Sequence, residues 1–183
     1  MIRVGLTGAP SCGKTSVIHI LREKGFVVFS EAATQIIENE RQKWREVADI
    51  VRDQDFQARI HALKLQQFAD AQDHTGTVFF DTTFVDDIAH RRATGVETKS
   101  IEESVRMYRY DVMFLLEHPW VVENNGIRIE NFDEVMKLDV LKREALKEFG
   151  YTPFFVPPSS KSDVWGISER VNILLSRIES IHF

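Results

Sequence analysis

The sequence predicts an α/β fold in three layers, in which helices cover both faces of a parallel β-sheet. Short, nearly continuous apolar runs alternate with segments of helical periodicity along the whole chain of 183 residues. No internal repeat, low-complexity tract or linker rich in proline, glycine and serine interrupts this alternation. We therefore expect a single domain over residues 1–183, a length that is sufficient to bury a core.

Five apolar runs have the length and composition of buried strands. The first leads directly into a glycine-rich turn, and the other four are spaced along the rest of the chain. In order, the predicted strands are Ile2 to Leu6, Phe26 to Phe29, Thr77 to Phe80, Val112 to Leu116 and Thr152 to Val156. Because helical segments separate them, we expect the strands to pair in parallel.

Helical periodicity fills most of the segments between these strands. The first predicted helix ends at Gly25, a common C-terminal stop. The predicted helices cover Lys14 to Lys24, Ala32 to Trp44, the region of Phe56 to Phe68, Val85 to Thr94, Ile101 to Tyr108, Val135 to Phe149 and Val164 to Ile181. The segment from Glu117 to Asn131 is polar and is predicted to be a loop.

Composition and charge exclude several classes of function. The formal charge is −5 and no basic tract occurs, so a nucleic-acid partner is not expected. The longest apolar run, Val112 to Leu116, is too short to cross a membrane. The single cysteine, Cys12, excludes an internal disulfide and indicates a reducing compartment, so the cytoplasm is the expected location. The sequence does not indicate an oligomeric state.

Residues 8–15, with the sequence GAPSCGKT, match the phosphate-loop pattern G-x-x-x-x-G-K-[ST] between a predicted strand and a predicted helix. Glycines let successive backbone N–H groups converge on phosphate oxygens, and the positive end of the helix dipole favours the same anion. Lys14 is expected to bind the β and γ phosphates, and Thr15 to bind Mg²⁺. We therefore predict ATP and Mg²⁺ as ligands. The predicted nucleotide-binding residues are Gly8, Ala9, Pro10, Ser11, Cys12, Gly13, Lys14, Thr15 and Ser16.

Cys12 lies just before the N-terminus of that helix, where the dipole favours a thiolate. This position predicts that alkylation of the thiol blocks nucleotide binding and that bound ATP protects it. The alternative is a small residue that only fits the turn.

Three acidic residues follow the third strand. Asp81 ends that strand at the edge of the sheet beside the phosphate loop, where we expect it to hold Mg²⁺; the alternative is a cap on the next helix. Asp86 fits either a site carboxylate or a solvated helix face, and Asp87 is expected on a solvated face. The neighbouring His90 belongs to a short basic run that is also expected to face solvent.

Two further residues are candidates for the chemistry. Glu31 follows the second strand at the edge of the sheet where ligands gather, so it is a candidate general base or ribose ligand; the alternative is a glutamate in the first turn of a helix. Arg128 lies in the polar loop 124–128, and a mobile loop there would act as a lid that neutralises charge in phosphoryl transfer.

With these motifs in place, the chain resembles the small P-loop proteins of the AAA-type ATP-binding domain family, which includes the ribosylnicotinamide kinase domain of NadR. The resemblance covers nearly the whole chain. The residues that carry it are the phosphate loop, Ser30-Glu31-Ala32-Ala33, Phe80-Asp81-Thr82, Tyr110-Asp111-Val112, Gly126, Arg128 and Val156-Pro157.

This resemblance implies a P-loop NTPase fold of the nucleotide-kinase type, with the strand before the phosphate loop lying between strands three and four of the five. It places the family's glutamate at Glu31, its strand-ending acid at Asp81 and its lid arginine at Arg128. Many members carry arginine where Thr34 or Thr82 stands in this chain, so the resemblance does not carry over the identity of the acceptor.

The sequence leaves three functions open. The first is a phosphotransferase that uses ATP and Mg²⁺ and a small-molecule acceptor, with Lys14, Glu31, Asp81 and Arg128 as catalytic residues. The second is an NTPase or nucleotide-dependent switch that binds a protein partner, with Arg41 to Asp55 and the lid as switch regions. The third is a nucleotide-binding module without turnover. No N/T-K-x-D guanine motif occurs, and the choice between ATP and GTP stays open.

Overall fold

The computed structural model describes residues 1–43, 45–53, 55–119, 132–158 and 166–181. Within these ranges the chain forms a five-stranded sheet in which all neighbouring strands are parallel. The strands are β1 (Ile2–Gly8), β2 (Val27–Phe29), β3 (Thr77–Asp81), β4 (Val112–Leu116) and β5 (Phe154–Val156). Their order across the sheet is β2-β3-β1-β4-β5, which confirms the predicted nucleotide-kinase arrangement with β1 between β3 and β4.

The described residues also form eight α-helices and a 3-10 turn at Ala71–Asp73. The helices are α1 (Lys14–Glu23), α2 (Ala32–Arg41), α3 (Val47–Arg52), α4 (Phe56–Asp70), α5 (Phe84–Thr94), α6 (Lys99–Met107), α7 (Phe132–Glu148) and α8 (Ile167–Ile181). The predicted ends at Trp44 and Val164 lie outside the described residues.

The sequence prediction missed one helix and misplaced several ends. Helix α3 carries Val47, Ile50 and Val51 at helical spacing, but only Ile50 is buried, and six residues are too few for that spacing to stand out. The last strand begins at Phe154 rather than Thr152, while the third extends by one residue to Asp81.

Two large apolar clusters lie on opposite faces of the sheet, which gives the three predicted layers. Along β3 the side chains alternate, so Phe79 packs in the cluster with α1 and α8, and Phe80 packs in the cluster with α4, α5 and α7. A third, smaller cluster joins α2, α3 and α4, and its buried residues are Ala32, Ile36, Ile50, Phe56 and Ile60.

The register of the sheet determines where the functional residues meet. Leu6 of β1 pairs with Asp81 of β3, so the residues that follow β1 leave the sheet beside the carboxylate that ends β3. In a parallel α/β sheet this carboxyl edge is where ligands bind. None of the described helices combines the length and apolar character that a membrane span needs.

Candidate active site

The loop between β1 and α1 has the conformation that phosphate binding requires. Ser11 and Gly13 have φ angles of 62° and 93°, and this left-handed backbone turns successive N–H groups toward one side. A Cβ at Gly8 would meet the carbonyl oxygen of Leu116 and lie 2.7 Å from the Cys12 sulfur. A Cβ at Gly13 would lie 2.8 Å from Cδ1 of Ile167. Both glycines are therefore needed for the close packing of the loop.

A cleft of about 340 Å³ opens above this loop, which is large enough for a small ligand. It brings together the predicted phosphate-loop residues with Glu31 and Asp81. Its lining consists of Pro10, Ser11, Gly13, Lys14, Thr15, Ser16, Glu31, Asp81, Thr82, His90 and Lys142. The other three predicted loop residues, Gly8, Ala9 and Cys12, are buried in the loop itself.

Lys14 is half-buried and folds back onto the loop. Its Nζ donates to the carbonyl oxygens of Gly8 at 3.0 Å and Ala9 at 2.9 Å, and lies 3.6 Å from the Cys12 sulfur. Burial opposes the charge of the ammonium, but the surrounding acidic groups, first Cys12 and then Asp86, outweigh it and raise the pKa of Lys14. Lys14 is therefore a cation at the floor of the cleft.

Asp81 is 6% exposed at the end of β3. Burial, together with the negative charge of Glu31, raises the pKa of Asp81 to about 6. The carboxylate therefore lies where its negative charge is poorly compensated, and a cation beside it would stabilise the ionised form. The following residue, Thr82, has a φ of 68°. A β-branched residue at this angle is strained, a feature that often occurs beside functional groups.

Glu31 lines the same cleft at the start of α2. Its Oε2 accepts a hydrogen bond of 3.0 Å from the Thr34 hydroxyl. The turn before it is braced, because the amides of Gln35 and Gln67 donate to the Ser30 carbonyl oxygen at 2.8 and 2.9 Å. Glu31 thus lies directly before α2 and lines the cleft, and its role as a general base or ribose ligand stays a prediction.

Asp86 and Asp87 differ from their predicted roles. Asp86 is 1% exposed and completes a capping box with Thr83, whose N–H and hydroxyl donate at 2.7 and 2.8 Å. Its other oxygen pairs with Lys142 at 2.7 Å, so it acts inside the fold rather than as a site carboxylate. The prediction of a solvated face for Asp87 is wrong, since it is buried and pairs with Lys64 at 2.5 Å.

His90 and Lys142 line the cleft, and the sequence prediction assigned neither to the site. Desolvation of the imidazole against the cleft walls, with repulsion from Lys142, lowers the pKa of His90 to about 4, so the ring is neutral at pH 7 although part of the residue remains exposed. The spacing of residues around Lys142 in the sequence could have indicated that it is buried. Positions 135, 138, 142, 145 and 149 follow the 3–4 spacing of an inward helix face, and all five are buried, whereas Leu141 is only partly buried.

Arg170, another residue that the sequence prediction missed, is fully buried behind the loop. Its guanidinium donates to the carbonyl oxygens of Cys12, of Pro157 at 3.1 Å and of Glu117 at 2.6 Å. These bonds fasten the loop to the chain beyond β4 and β5. Five fixed donors suit Arg for joining several carbonyl groups at once.

The Cys12 side chain is fully buried in the apolar cluster around α1 and α8. The predicted alkylation by a solvent reagent is therefore wrong in its premise, because the thiol does not face the cleft. Cys12 serves the loop through its backbone and its small volume, as the alternative interpretation held.

Arg128 and Gly126, the predicted lid residues, lie outside the described residues. Among the residues that are described, no three His, Cys, Asp or Glu side chains form a cluster suited to a metal ion. Thr15 and Asp81 supply a hydroxyl and a carboxylate, the hard oxygen donors that Mg²⁺ uses together with phosphate oxygens and water.

Comparison with solved structures places the fold among the nucleoside and nucleotide kinases. Thymidylate kinase from Ehrlichia chaffeensis matches with a TM-score of 0.64 at 13% identity, over 97% of this chain and 98% of that one. Deoxyadenosine kinase from M. mycoides matches with a TM-score of 0.62 at 13% identity, over 98% and 100%. NadR in complex with NR matches with a TM-score of 0.67 at 15% identity, over 96% of this chain and 50% of NadR. At these identities the likeness is one of fold.

Sequence comparison gives the family. A search of curated protein sequences returned no significant match. The family model described as an AAA domain matches residues 3–163, which include the phosphate loop, Glu31, Asp81 and the region of the predicted lid. The expected resemblance is thereby confirmed, and the chain belongs to the AAA domain family of P-loop proteins.

Proposed function

We propose that the protein is an ATP- and Mg²⁺-dependent phosphotransferase that acts on a hydroxyl group of a nucleoside, a nucleotide or a similar small metabolite. The observation that carries this proposal is a cleft in which a phosphate loop meets two carboxylates, Glu31 and Asp81. The kinase-like sheet order and the fold of the neighbouring structures support it. NadR, which was crystallised with NR, adds nicotinamide riboside to the acceptors to be tested.

The phosphate loop accounts for binding of the triphosphate. Its left-handed residues and the N-terminus of α1 present N–H groups to anionic oxygens, and Lys14 adds a full positive charge. Thr15 is exposed in the first turn of α1, and its hydroxyl and the Asp81 carboxylate would hold Mg²⁺. The metal would neutralise charge that develops on the β and γ phosphates during transfer.

Glu31 accounts for activation of the acceptor. In the transfer step the acceptor oxygen forms a bond to the γ-phosphorus, the bond from that phosphorus to the β–γ bridging oxygen breaks, and Glu31 takes the hydroxyl proton. A carboxylate accepts several hydrogen bonds, so the bond from Thr34 is compatible with this role. In this proposal Glu31 would face the acceptor and Asp81 would hold the metal.

A thermal-shift screen tests the proposal. Nucleosides, including nicotinamide riboside, and nucleotides are added to the protein with Mg²⁺ and a non-hydrolysable ATP analogue. We expect the analogue to raise Tm, and one acceptor class to raise it further in a concentration-dependent way. Lys14→Ala is the control and should lose the shift from the analogue. If the analogue does not stabilise the wild-type protein, the proposal of ATP binding is refuted.

A second result of the same screen separates the kinase from the switch. A kinase needs a second ligand, so at least one acceptor should stabilise the complex with the analogue. A nucleotide-dependent switch or simple NTPase should respond to the nucleotide alone and hydrolyse ATP without any acceptor. Stabilisation by the analogue, no response to any acceptor and acceptor-independent hydrolysis would favour the switch.

A further inference from the structure

His90 borders the cleft with an imidazole ring that has no partner in the protein. The residue lies on α5 and lines the cleft, one turn after Asp86 and Asp87, which are both buried. Among the described residues, none forms a hydrogen bond or an ion pair with the His90 ring, while the backbone carbonyl oxygen of His90 accepts the Thr94 hydroxyl at 3.0 Å. The two ring nitrogens are therefore available to a ligand.

Two other histidines show what a histidine outside the cleft does in this fold. His19 lies on the exposed face of α1 with its Nε2 3.2 Å from the Glu23 carboxylate. His61 is mostly buried, and its Nε2 lies 3.1 Å from the Ser104 hydroxyl. Both rings have a polar partner in the protein, and neither lines the cleft. His90 differs from them in position and in its lack of a partner, which indicates a role toward a ligand.

The surroundings of His90 keep its ring uncharged. Lys142 lines the cleft from α7, where its ammonium is fixed by an ion pair of 2.7 Å with Asp86. Desolvation, together with repulsion from Lys142 and from Lys64 on α4, lowers the pKa of His90 to about 4, although Asp86 and Asp87 oppose this. A neutral imidazole has one N–H donor and one nitrogen acceptor. His90 therefore matches a ligand group that both donates and accepts hydrogen bonds, such as a hydroxyl or an amide.

His90 belongs to the side of the cleft that the phosphate loop leaves for the acceptor. Glu31 follows β2, Asp81 ends β3 and His90 lies on the helix after β3, and both strands lie on the same side of β1 in the sheet. The triphosphate side is formed by residues 10–16, between β1 and α1. Of the described residues that line the acceptor side, none carries a positive charge. An anionic group beside His90 would meet two carboxylates, whereas an uncharged group would not be repelled.

We propose that His90 is a specificity-determining residue that forms hydrogen bonds with an uncharged hydroxyl or amide group of the acceptor and selects against a phosphate group at that position. A nucleoside should therefore bind in preference to its 5′-monophosphate. The inference rests on the proposed phosphotransferase function and adds to it the chemical class of the acceptor. It assigns to α5 a part in acceptor binding that is separate from the proton transfer to Glu31.

Calorimetry on the wild-type protein tests the choice of acceptor. Nicotinamide riboside, adenosine, guanosine, cytidine, uridine and thymidine, each beside its 5′-monophosphate, are titrated into protein that is saturated with Mg²⁺ and a non-hydrolysable ATP analogue. We expect the nucleoside that binds best to bind about tenfold or more tightly than its monophosphate, because the added phosphate meets carboxylates. A monophosphate that binds more tightly than its nucleoside would overturn the proposal.

Two variants test the hydrogen bond itself. His90→Phe keeps a ring without polar atoms and should weaken nucleoside binding about 3- to 30-fold, the range for one or two neutral hydrogen bonds, while the affinity for the ATP analogue stays the same. His90→Gln keeps an uncharged donor and acceptor and should bind the nucleoside within about threefold of the wild type. His19→Phe makes the first substitution on the exposed face of α1 and should have no effect on either ligand.

Three results with these variants would overturn the proposal. A folded His90→Phe variant that binds the nucleoside like the wild type would show that the ring forms no hydrogen bond with it. Equal weakening in His90→Phe and His90→Gln would indicate disturbance of the site rather than a lost hydrogen bond. Weaker binding of the ATP analogue than of the nucleoside would place His90 on the triphosphate side. Circular dichroism establishes that each variant is folded.

The pH dependence of binding distinguishes an uncharged partner from an anionic one. The ratio of nucleoside affinities between wild type and His90→Gln removes the contributions of Glu31 and Asp81, which both proteins share. We expect this ratio to stay constant between pH 6 and pH 8, because a neutral ring with an uncharged partner takes up no proton on binding. A ratio that increases as pH falls would show that the ring binds an anion in its protonated form, which would refute the proposal.

A crystal structure of the wild-type protein with Mg²⁺, the analogue and the nucleoside decides if the variants do not fold. We expect a nitrogen of the His90 ring within hydrogen-bond distance of a hydroxyl or amide atom of the nucleoside. A ring that contacts a phosphate oxygen, or that makes no contact with the nucleoside, would overturn the inference and leave the proposed function standing. Wild-type protein that binds no acceptor, with or without the analogue, would instead refute the phosphotransferase, and this inference would fall with it.

Discussion

Buried charged side chains hold the phosphate loop in place. The helical flank beside Glu31 is held instead by a small apolar cluster and by ion pairs near the surface. Lys142, Arg170 and Asp86 are each at most 2% exposed, and all three bond to the loop or to a residue that does. The α2–α4 flank, residues 32–43, 45–53 and 55–70, packs around the separate cluster of Ile36, Ile50 and Phe56.

We expect the two regions to differ in rigidity and therefore in their roles. A loop that is fixed by buried hydrogen bonds is preorganised for an anion, and preorganised donors cost little to use when a ligand binds. Helices α2 and α3 and the start of α4 share this small cluster and can adjust while the end of α4 stays in the main core through Phe68, and regions with few core contacts have lower local stability. We therefore expect the triphosphate side to be rigid and the flank beside Glu31 to adjust to the acceptor.

We expect the largest change in turnover from a substitution of Glu31, which should leave the phosphate loop intact. Glu31→Gln should reduce acceptor-dependent turnover about 10²- to 10⁴-fold, because the amide cannot take the hydroxyl proton. ATP affinity should remain near the wild-type value, since the residue faces the acceptor. Steady-state rates and calorimetry measure the two quantities, with an acceptor from the thermal-shift screen. Normal turnover in the variant would leave Glu31 as a helix-start residue only.

Lys14→Ala should affect the triphosphate side of the cleft rather than the acceptor side. It removes charge-assisted hydrogen bonds worth about 1.5–3 kcal/mol each, so ATP affinity should fall about 100-fold or more. Lys14 is half-buried at the cleft, so the fold should persist, as circular dichroism would show. A folded variant with unchanged ATP affinity would contradict the assignment of residues 8–15 as the phosphate loop.

Ionised Asp81 is expected to lower the free energy of unfolding. Its folded-state pKa of about 6 lies above the ordinary value of 3.8, so the unfolded chain ionises first as pH rises. The free energy of unfolding should therefore decrease between about pH 4 and pH 6 through this group and stay low above that range. Asp81→Asn removes the penalty and should stabilise the protein without ligand by about 2–3 kcal/mol at pH 7, a gain that disappears below about pH 4.

Urea unfolding at pH 7.5 and pH 3.5 measures this difference, with Asp73→Asn as an exposed control. The same Asp81→Asn variant should impair every Mg²⁺-dependent step, whatever the acceptor. Greater stability with lower activity is the combination expected of a functional carboxylate. A variant that is less stable than the wild type at pH 7.5 would indicate a structural role instead.

We expect the smallest change from a substitution in the α2–α4 flank, where only local hydrogen exchange should be altered. Glu40 accepts hydrogen bonds from Lys43 at 2.9 Å and Arg45 at 3.1 Å, which lower the pKa of Glu40 to about 2. Glu40→Gln should raise amide hydrogen exchange in α3 about two- to fivefold, a small effect because the cationic partners of this buried carboxylate are themselves partly exposed. Exchange in β1 and α1 should not change. Glu38→Gln, an exposed position on the same helix, is the matched control.

The sequence was sufficient for the parts of the fold that depend on local pattern. All five strands and their parallel pairing were predicted from apolar runs, which are local signals, whereas the position of β1 between β3 and β4 was implied by the family resemblance. The placement of Glu31 and Asp81 beside the loop also followed, since parallel strands end at a common edge. Whether these residues perform the predicted chemistry stays a prediction.

The parts that were missed depend on long-range contacts. Lys142 reaches Gly8 across 134 positions in sequence, and Arg170 reaches Cys12 across 158, so no local window contains both partners. A lysine or arginine on an amphipathic helix is usually solvated. Asp87 was misplaced for the same reason, because its partner Lys64 lies on another helix.

The most direct test of the account follows the fate of the γ-phosphoryl group. Wild-type protein, Mg²⁺ and ATP are incubated with and without the acceptor that the thermal-shift screen identifies, and ³¹P NMR follows ADP, phosphorylated acceptor and inorganic phosphate. We expect one phosphorylated acceptor for each ADP, with little inorganic phosphate, and little ADP when the acceptor is left out. Release of inorganic phosphate at the same rate with and without the acceptor, and no phosphorylated product, would contradict the kinase and favour a simple NTPase or switch.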